Sequence, residues 1–156
     1  MPDSIHASAI SHVSLCVRDL DRSLKFYRDV LGFTVTRDEI QDTSKGGMPH
    51  LYKDHHGKRR LVYMRYADSK SLPFLVLTAH PGDAVGGEAI MLDQVGISHV
   101  SFTVPDVAEV AKRLIAHGVA TCGPKDAFPD GSGHMRTVFF RDPDGIIVQF
   151  DGGGEG

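Results

Sequence analysis

Two histidines occupy the same place in a repeated pentapeptide. Ile-Ser-His-Val-Ser occurs around His12 and again around His99. Imidazole nitrogens bind divalent metal ions, and they also exchange protons near neutral pH. A lone strand histidine is commonly a packed or hydrogen-bonded residue, whereas equivalent positions in a duplicated unit can bring two imidazoles to one shared face. The repeat therefore indicates either a metal site or a hydrogen-bonded polar lining, and the residue types leave both open.

Gln149 is a third candidate on the same face. Side chains alternate across a strand, so in the last predicted strand Gln149 lies opposite the apolar set that would pack on a helix. The same reasoning puts His12 and His99 on the face turned away from the apolar residues of their own strands. Two imidazoles and an amide oxygen on one surface form a possible divalent metal site.

The repeat extends beyond the pentapeptide into a helix that follows each histidine strand. In both copies apolar residues recur at steps of three or four, which predicts an amphipathic helix, and a glycine follows as a stop signal. Asp106 with Glu109 predicts a capping box at the second helix. The two stripes with their glycines are Leu20, Leu24, Tyr27, Leu31 and Gly32, and Val107, Val110, Ala111, Leu114, Ile115 and Gly118.

Three strand-like runs follow each helix. In the first half they cover about 33–39, 60–67 and 72–79, and in the second about 119–123, 135–141 and 146–151. The sequence Asp-Pro-Asp-Gly at 142–145 predicts a tight turn between the last two. Each half thus has the order βαβββ, which predicts an α+β protein. We expect one domain over 1–156, with module one at about 10–80, a linker at about 81–95 and module two at about 96–151.

The composition limits the classes of partner. With 41% hydrophobic and 24% charged residues, the chain has the make-up of a soluble globular protein. A net charge of -3 gives no reason to expect nucleic acid or an anionic membrane as partner. Neither a membrane-length apolar run nor a signal-peptide pattern is present in the sequence, so we expect a cytoplasmic protein.

The two cysteines are expected to be free thiols in a reducing compartment. Cys16 lies on the histidine face of its strand. Its residue type favours a buried, unreactive thiol, with a soft metal ligand or a nucleophile as the alternative.

The segment 41–58 is a long polar loop that is rich in histidine. A solvated loop is the favoured interpretation, and a lid whose cations hold an anionic substrate group is the alternative. Tyr63, in the strand after the loop, could face the same way as the histidines. The basic residues of this region are His50, His55, His56, Lys58, Arg59 and Arg60.

Three segments together resemble the vicinal oxygen chelate superfamily, which includes glyoxalase I, extradiol dioxygenases and bleomycin-binding proteins. They are ISHVSLCVRDLDRSLKFYRDVLGF, ISHVSFTVPDVAEVAKRLIAHGV and RTVFFRDPDGIIVQF, and the resemblance extends over about 10–151. It implies two tandem βαβββ modules that form a cupped, barrel-like mixed sheet with the helices outside, often in a homodimer. It also implies a divalent ion in the cup (Fe, Zn, Ni or Mn), chelated by two oxygens of a small-molecule substrate.

The resemblance assigns positions to the metal site. His12 and His99 match the first-strand ligands of the two modules, and Gln149 stands where most metal-using members have Glu. By alternation the first-module counterpart of Gln149 is Val76, or Leu75 if the loop shifts the register, and neither can bind a metal. His80, in phase with Val76, is the candidate to replace it.

The same resemblance limits the reaction. Gln149 cannot take a proton at neutral pH, so glyoxalase-type proton transfer lacks its usual base. His134 is the candidate for the catalytic histidine of the dioxygenases, whereas Phe139 occupies the region where a tyrosine is expected, and Arg136 is a candidate to line the cup. We expect a metal-dependent enzyme with lyase, isomerase or ring-cleaving chemistry on a substrate with two vicinal oxygens. The alternative is a non-catalytic binding or resistance protein that uses the cup without metal.

Overall fold

The computed structural model describes residues 4–66, 69–123 and 132–153. The chain divides into two compact units, Met1–Gly86 and Gly87–Gly156, and each has its own sheet and its own helix. None of the helices in the described ranges is long and apolar enough to span a membrane.

The first unit has the predicted order βαβββ. Its four strands form one mixed sheet in the order β1-β4-β3-β2, with β1 parallel to β4 and the other neighbours antiparallel. The predicted strand at 60–67 begins two residues earlier, and its last residue, Ala67, lies outside the described residues. The elements are β1 (His12–Cys16), α1 (Leu20–Leu24) continued by a π-helical segment (Lys25–Val30), β2 (Phe33–Asp42), a 3-10 helix (Met48–Leu51), β3 (Lys58–Tyr66) and β4 (Phe74–Ala79).

The second unit repeats the inner part of this sheet. Its described strands have the order β5-β7-β6, with β5 parallel to β7 and β6 antiparallel to it. This matches the order β1-β4-β3 of the first unit, so the prediction of an α+β fold with mixed sheets is confirmed. The elements are β5 (His99–Thr103), α2 (Val107–Ala116), β6 (Thr137–Arg141) and β7 (Ile147–Asp151).

The strand predicted at 119–123 forms only a single bridge, between Thr121 and Phe140. Two backbone hydrogen bonds hold it to β6, from Arg141 N to Ala120 O and from Cys122 N to Phe139 O. The segment begins after Gly118 and ends at Gly123, both with positive φ, at 74° and 122°. These turns leave too few extended residues between them for a full strand.

The predicted stop glycines and the Asp106 half of the predicted capping box are confirmed, and α1 has an aspartate cap as well. The side chain of Asp19 accepts a hydrogen bond from Arg22 N at 3.1 Å, and that of Asp106 accepts one from Glu109 N at 2.9 Å. Each is the N-cap of its helix. Gly32, like Gly118, has a positive φ just after its helix, at 82°, which only glycine adopts without strain.

Strand alternation gives each sheet an apolar face and a mixed face. Cross-strand partners share a face, so each apolar face is continuous across its sheet and is buried with the apolar stripe of the helix. His12 and His99 each lie on the other face of their own sheet. The buried residues are Leu15, Leu75, Leu77, Val62, Met64, Leu24 and Tyr27 in the first unit, and Phe102, Val148, Phe150, Val138, Phe140, Ala111 and Leu114 in the second.

Candidate metal centre

His99 and Gln149 lie on the same face of the second sheet. β5 and β7 pair in parallel, with His99 opposite Ile147 and Ser101 opposite Gln149. Gln149 is therefore one strand across and two residues along from His99, which puts their Cα atoms roughly 8 Å apart. Side chains at this separation can both reach an ion that lies above the sheet.

A hydrogen-bond chain fixes the orientation of the Gln149 amide. Thr137 Oγ1 donates its one proton to the carbonyl oxygen of Phe150, at 2.9 Å. The same oxygen must therefore act as an acceptor towards Gln149, and it receives the proton of Nε2 at 2.8 Å. The amide oxygen is then the end of Gln149 turned away from Thr137. An amide oxygen is a ligand for divalent cations, so the amide is oriented for metal binding.

Each histidine is held by the serine that precedes it. Ser98 Oγ lies 2.8 Å from His99 Nδ1, and Ser11 Oγ lies 2.9 Å from His12 Nδ1. When Nδ1–H donates to the serine, the lone pair of the ring is on Nε2, which is the tautomer a metal ligand requires. Sequence reasoning used the histidines of the repeated pentapeptide and missed the serines, although the serines are repeated too.

The two units differ at the position of Gln149. In the first sheet His12 lies opposite Phe74 and Ser14 opposite Val76, the same register as on β5 and β7. Val76 is therefore the counterpart of Gln149, as alternation predicts, and it offers no ligand atom. The His12 ring stacks on Phe74, with centroids 5.2 Å apart and 22° between the planes. At these positions the first sheet thus offers one imidazole, whereas the second sheet offers an imidazole and an amide.

His80 lies far from His12 along the strand direction. Thr78 pairs with Cys16 at one end of the β1–β4 ladder, and Phe74 pairs with His12 at the other. His80 follows two residues after Thr78, so it is about six residues, or roughly 20 Å, from the level of His12. The geometry therefore separates His80 from His12, and a fourth ligand to a His12-bound ion does not come from this side chain.

His80 instead belongs to a cluster at the end of β4. Its Nε2 lies 3.0 Å from Tyr52 Oη, and its ring centroid is 4.4 Å from that of His56. His56 Nδ1 in turn lies 2.8 Å from Asp83 Oδ2, and the His56 side chain is only 9% exposed. This part of the histidine loop is packed against the sheet, in contrast to the favoured prediction of a solvated loop. Within the described ranges, no three His, Cys, Asp or Glu side chains are grouped to hold a metal ion.

Burial lowers the pKa of His80. Its residue is 7% exposed, and the loss of hydration is the largest cause of the shift. Electrostatic interactions with His56 and Arg59 lower the pKa further, and Asp83 opposes them. His80 is therefore a neutral imidazole at pH 7.

The predicted catalytic residues His134 and Arg136 lie before β6 and are both exposed. Ser132 Oγ lies 2.5 Å from His134 Nδ1. Arg136 has the strand phase of Val138, whose side chain is on the buried face, and so it is out of phase with Gln149. Sequence position remains the basis for both assignments.

Phe139 borders the candidate metal centre. It pairs with Gln149 across β6 and β7, and its ring centroid is 6.1 Å from that of His99. Phenylalanine has no hydroxyl, so the position where ring-cleaving relatives are expected to have tyrosine offers an apolar wall and no proton donor.

Comparison with known proteins identifies the family. The sequence model of the Glyoxalase/Bleomycin resistance protein/Dioxygenase superfamily matches residues 9–150. Lactoylglutathione lyase of Haemophilus influenzae is 30% identical over 145 residues, which cover 90% of each chain. Catechol-2,3-dioxygenase of Bacillus subtilis is 29% identical over 150 residues, 94% of this chain and 42% of the longer relative. The trypanothione-dependent glyoxalase I of Leishmania major superposes with a TM-score of 0.67 at 26% identity, covering 93% of this chain and 86% of that one. The resemblance noted in the sequence is thereby confirmed, and the chain belongs to the Glyoxalase/Bleomycin resistance protein/Dioxygenase superfamily, whose members are vicinal oxygen chelate proteins.

Proposed function

We propose that this chain is a metal-dependent enzyme that acts on a small molecule with two neighbouring oxygen atoms. The family resemblance assigns the ligands, with His12 and His99 offering Nε2 and Gln149 offering its amide oxygen. The observation that carries the proposal is the Thr137 hydrogen bond, which turns a residue without a carboxylate into an oriented oxygen ligand on the face of His99. Family membership and relatives named as lactoylglutathione lyase and catechol-2,3-dioxygenase support the reaction class.

The donor set fits a divalent transition metal. Two imidazole nitrogens and one neutral oxygen suit Zn, Ni, Mn or Fe(II), and they leave positions for water or substrate. When bound, the ion supplies Lewis-acid polarisation to the two substrate oxygens. Ser11 and Ser98 orient the imidazoles, and Phe139 adds an apolar ring beside His99.

Gln149 cannot serve as the base that accepts a substrate proton. Its amide has no basic lone pair at neutral pH, so it holds an ion or a substrate oxygen without accepting a substrate proton. An isomerase or lyase reaction that moves a proton between carbon atoms therefore uses a base other than Gln149.

Metal binding is the test. We expect tag-free protein, after incubation with Zn, Ni, Mn or Fe(II) and desalting, to retain about one ion per chain by elemental analysis. The variants His12→Ala and His99→Ala lose the ion, and His117→Ala, at the exposed end of α2, retains it. Less than about a tenth of an ion per chain with every metal would overturn the proposal.

A metal-independent binding protein is the second candidate, and the first unit favours it. Val76 replaces the ligand there, and the neighbouring face is lined by rings, with Tyr63 and Phe74 centroids 5.7 Å apart. A protein of this kind is stabilised by an aromatic or antibiotic-like ligand equally well in EDTA and in His12→Ala. Loss of ligand binding under either condition removes this candidate in favour of the enzyme.

A ring-cleaving dioxygenase is a narrower form of the enzyme proposal. It requires oxygen consumption with catechols after loading with Fe(II). Since Phe139 has no hydroxyl to assist, we expect a flat oxygen trace, and a lyase or isomerase reaction is then left.

We further propose a homodimer in the cytoplasm, on the basis of the family resemblance. Light scattering tests the first part, because a dimer has twice the 17.0 kDa mass of the chain. Fractionation of cells that express the native protein tests the second part.

A further inference from the structure

Cys16 and His80 form a pair at the end of the first sheet, away from His12. Sγ of Cys16 lies 3.9 Å from Nδ1 of His80, within hydrogen-bond range for sulfur. Cys16 is exposed, in contrast to the buried thiol that its residue type suggests. We infer that Cys16 is a nucleophilic modification site that forms thioether adducts with soft carbon electrophiles of the enone class, with His80 as its proton acceptor.

His80 is oriented for this role by a third side chain. Its Nε2 lies 3.0 Å from Tyr52 Oη, and in the tautomer whose Nε2–H donates to the phenol oxygen the lone pair of Nδ1 faces the thiol. A nucleophile, a base within reach and a group that orients the base together make an activated nucleophile. Because burial lowers the pKa of His80, the ring is neutral at pH 7, and it takes up the thiol proton only transiently, as a general base during the attack.

Charged and polar side chains from three segments surround His80. His56 and Tyr52 reach His80 from the loop, Arg59 from β3, and Asp83 from the segment after β4. The carboxylate of Asp83 is held by His56 Nδ1, and Arg59 Nε donates to Gln41 Oε1 at 2.7 Å. The charge of Asp83 raises the pKa of His80 and so favours transfer of the thiol proton to the ring, whereas His56 and Arg59 oppose it.

The reaction balances without an added co-reactant. The thiol proton moves to Nδ1 of His80, and the sulfur electron pair forms a bond to the β carbon of the enone. The π pair of the carbon–carbon double bond moves to give an enolate, and the imidazolium returns its proton to the α carbon. His80 ends neutral, no group leaves, and the product is a saturated thioether.

Cys122 provides a matched control in the same chain. It is half-buried, and burial raises the pKa of its thiol. It is therefore expected to react more slowly than a free thiol, whereas Cys16 is expected to react faster.

The test is site-resolved alkylation by N-ethylmaleimide, followed by peptide mapping. At about pH 7 we expect N-ethylmaleimide to modify Cys16 in the folded protein at least about fivefold faster than the same cysteine in the urea-unfolded chain. In His80→Gln the rate at Cys16 falls to the unfolded-chain value and regains the ordinary pH dependence of a thiol, while the rate at Cys122 stays unchanged. A Cys16 rate equal to that of the unfolded chain, or one unaffected by His80→Gln, would overturn the inference.

A second variant covers the case in which His80→Gln disrupts the fold. A rise of the Cys122 alkylation rate to the value measured in the unfolded chain reports such disruption. Tyr52→Phe then decides, because it removes only the phenol oxygen that orients His80. A fall of at least about twofold in the Cys16 rate supports the inference, and an unchanged rate contradicts it. EDTA leaves the Cys16 rate unchanged, which separates this site from the proposed metal centre.

Discussion

Gln149 Nε2 lies 2.8 Å from Thr137 Oγ1, and this hydrogen bond determines which end of the amide can meet a metal ion. The threonine proton is committed to the carbonyl of Phe150, so the amide cannot be reversed without placing two acceptors against each other. The neutral side chain of Gln149 is thus kept in the orientation of an oxygen ligand.

Thr137→Val is predicted to weaken metal binding about tenfold, because it removes the group that orients the ligand without touching the ligand itself. Isothermal titration with Zn or Ni measures the affinity. The variant also leaves the Phe150 carbonyl without its hydroxyl donor, which costs about 1 kcal/mol of unfolding free energy.

Thr36→Val is the matched control for this change. The Thr36 hydroxyl also donates to a backbone carbonyl, that of Tyr63 at 3.3 Å, but it lies in the first unit. We expect its metal affinity to equal that of the wild type. Equal affinities in all three proteins would show that the Gln149 amide is not a ligand.

Gln149→Glu is predicted to tighten divalent metal binding by about tenfold or more, because a carboxylate adds a negative charge next to the ion. Gln149→Leu, of similar size, is predicted to abolish binding. Gln41→Glu is the control, because it makes the same substitution at a glutamine whose amide oxygen already accepts a hydrogen bond from Arg59. We expect it to leave the metal affinity unchanged. An unaltered affinity in both Gln149 variants would exclude this residue from the metal sphere.

Ser11→Ala and Ser98→Ala are predicted to weaken metal binding by similar factors, about 10-fold to 100-fold, because each releases the Nδ1 of one imidazole. Titration of both variants measures the effect. Ser132→Ala is the control, since it removes the serine partner of a histidine outside the site, His134. A large effect from one serine and none from the other would show that the two histidines do not act as equivalent ligands.

The sequence was sufficient for the fold because the pattern is local and repeated. Apolar stripes, caps and stop glycines predicted both helices, and period-two alternation predicted the face of His12, His99 and Gln149. The prediction of a full strand at 119–123 was wrong because Gly118 and Gly123 turn the backbone at both ends. A strand prediction from residue types does not include these φ angles.

The contacts that orient the site were not predictable from the sequence. The Thr137–Gln149 bond depends on the register between β6 and β7, and the His56–Asp83 pair depends on how a long loop folds back. Cys16 was expected to be buried from its residue type, although its phase on β1 already put it on the face turned away from the helix. Strand phase was the better guide to exposure at that position.

His80→Gln is predicted to reduce the acid sensitivity of the fold. Burial lowers the pKa of His80 in the folded chain below the value of about 6.5 that applies when the chain is unfolded. Between those two pKa values the unfolded chain binds a proton that the folded chain binds less readily. The contribution of neutral His80 to the free energy of unfolding is therefore fully present above about pH 6.5 and is lost as the pH falls through this window.

Urea midpoints measured by circular dichroism should therefore fall further between about pH 7.5 and 5.5 in the wild type than in His80→Gln. His50→Gln, at an exposed histidine of the same loop, is expected to retain the full wild-type shift. Equal shifts in the wild type and His80→Gln would mean that the acid sensitivity arises from groups other than His80.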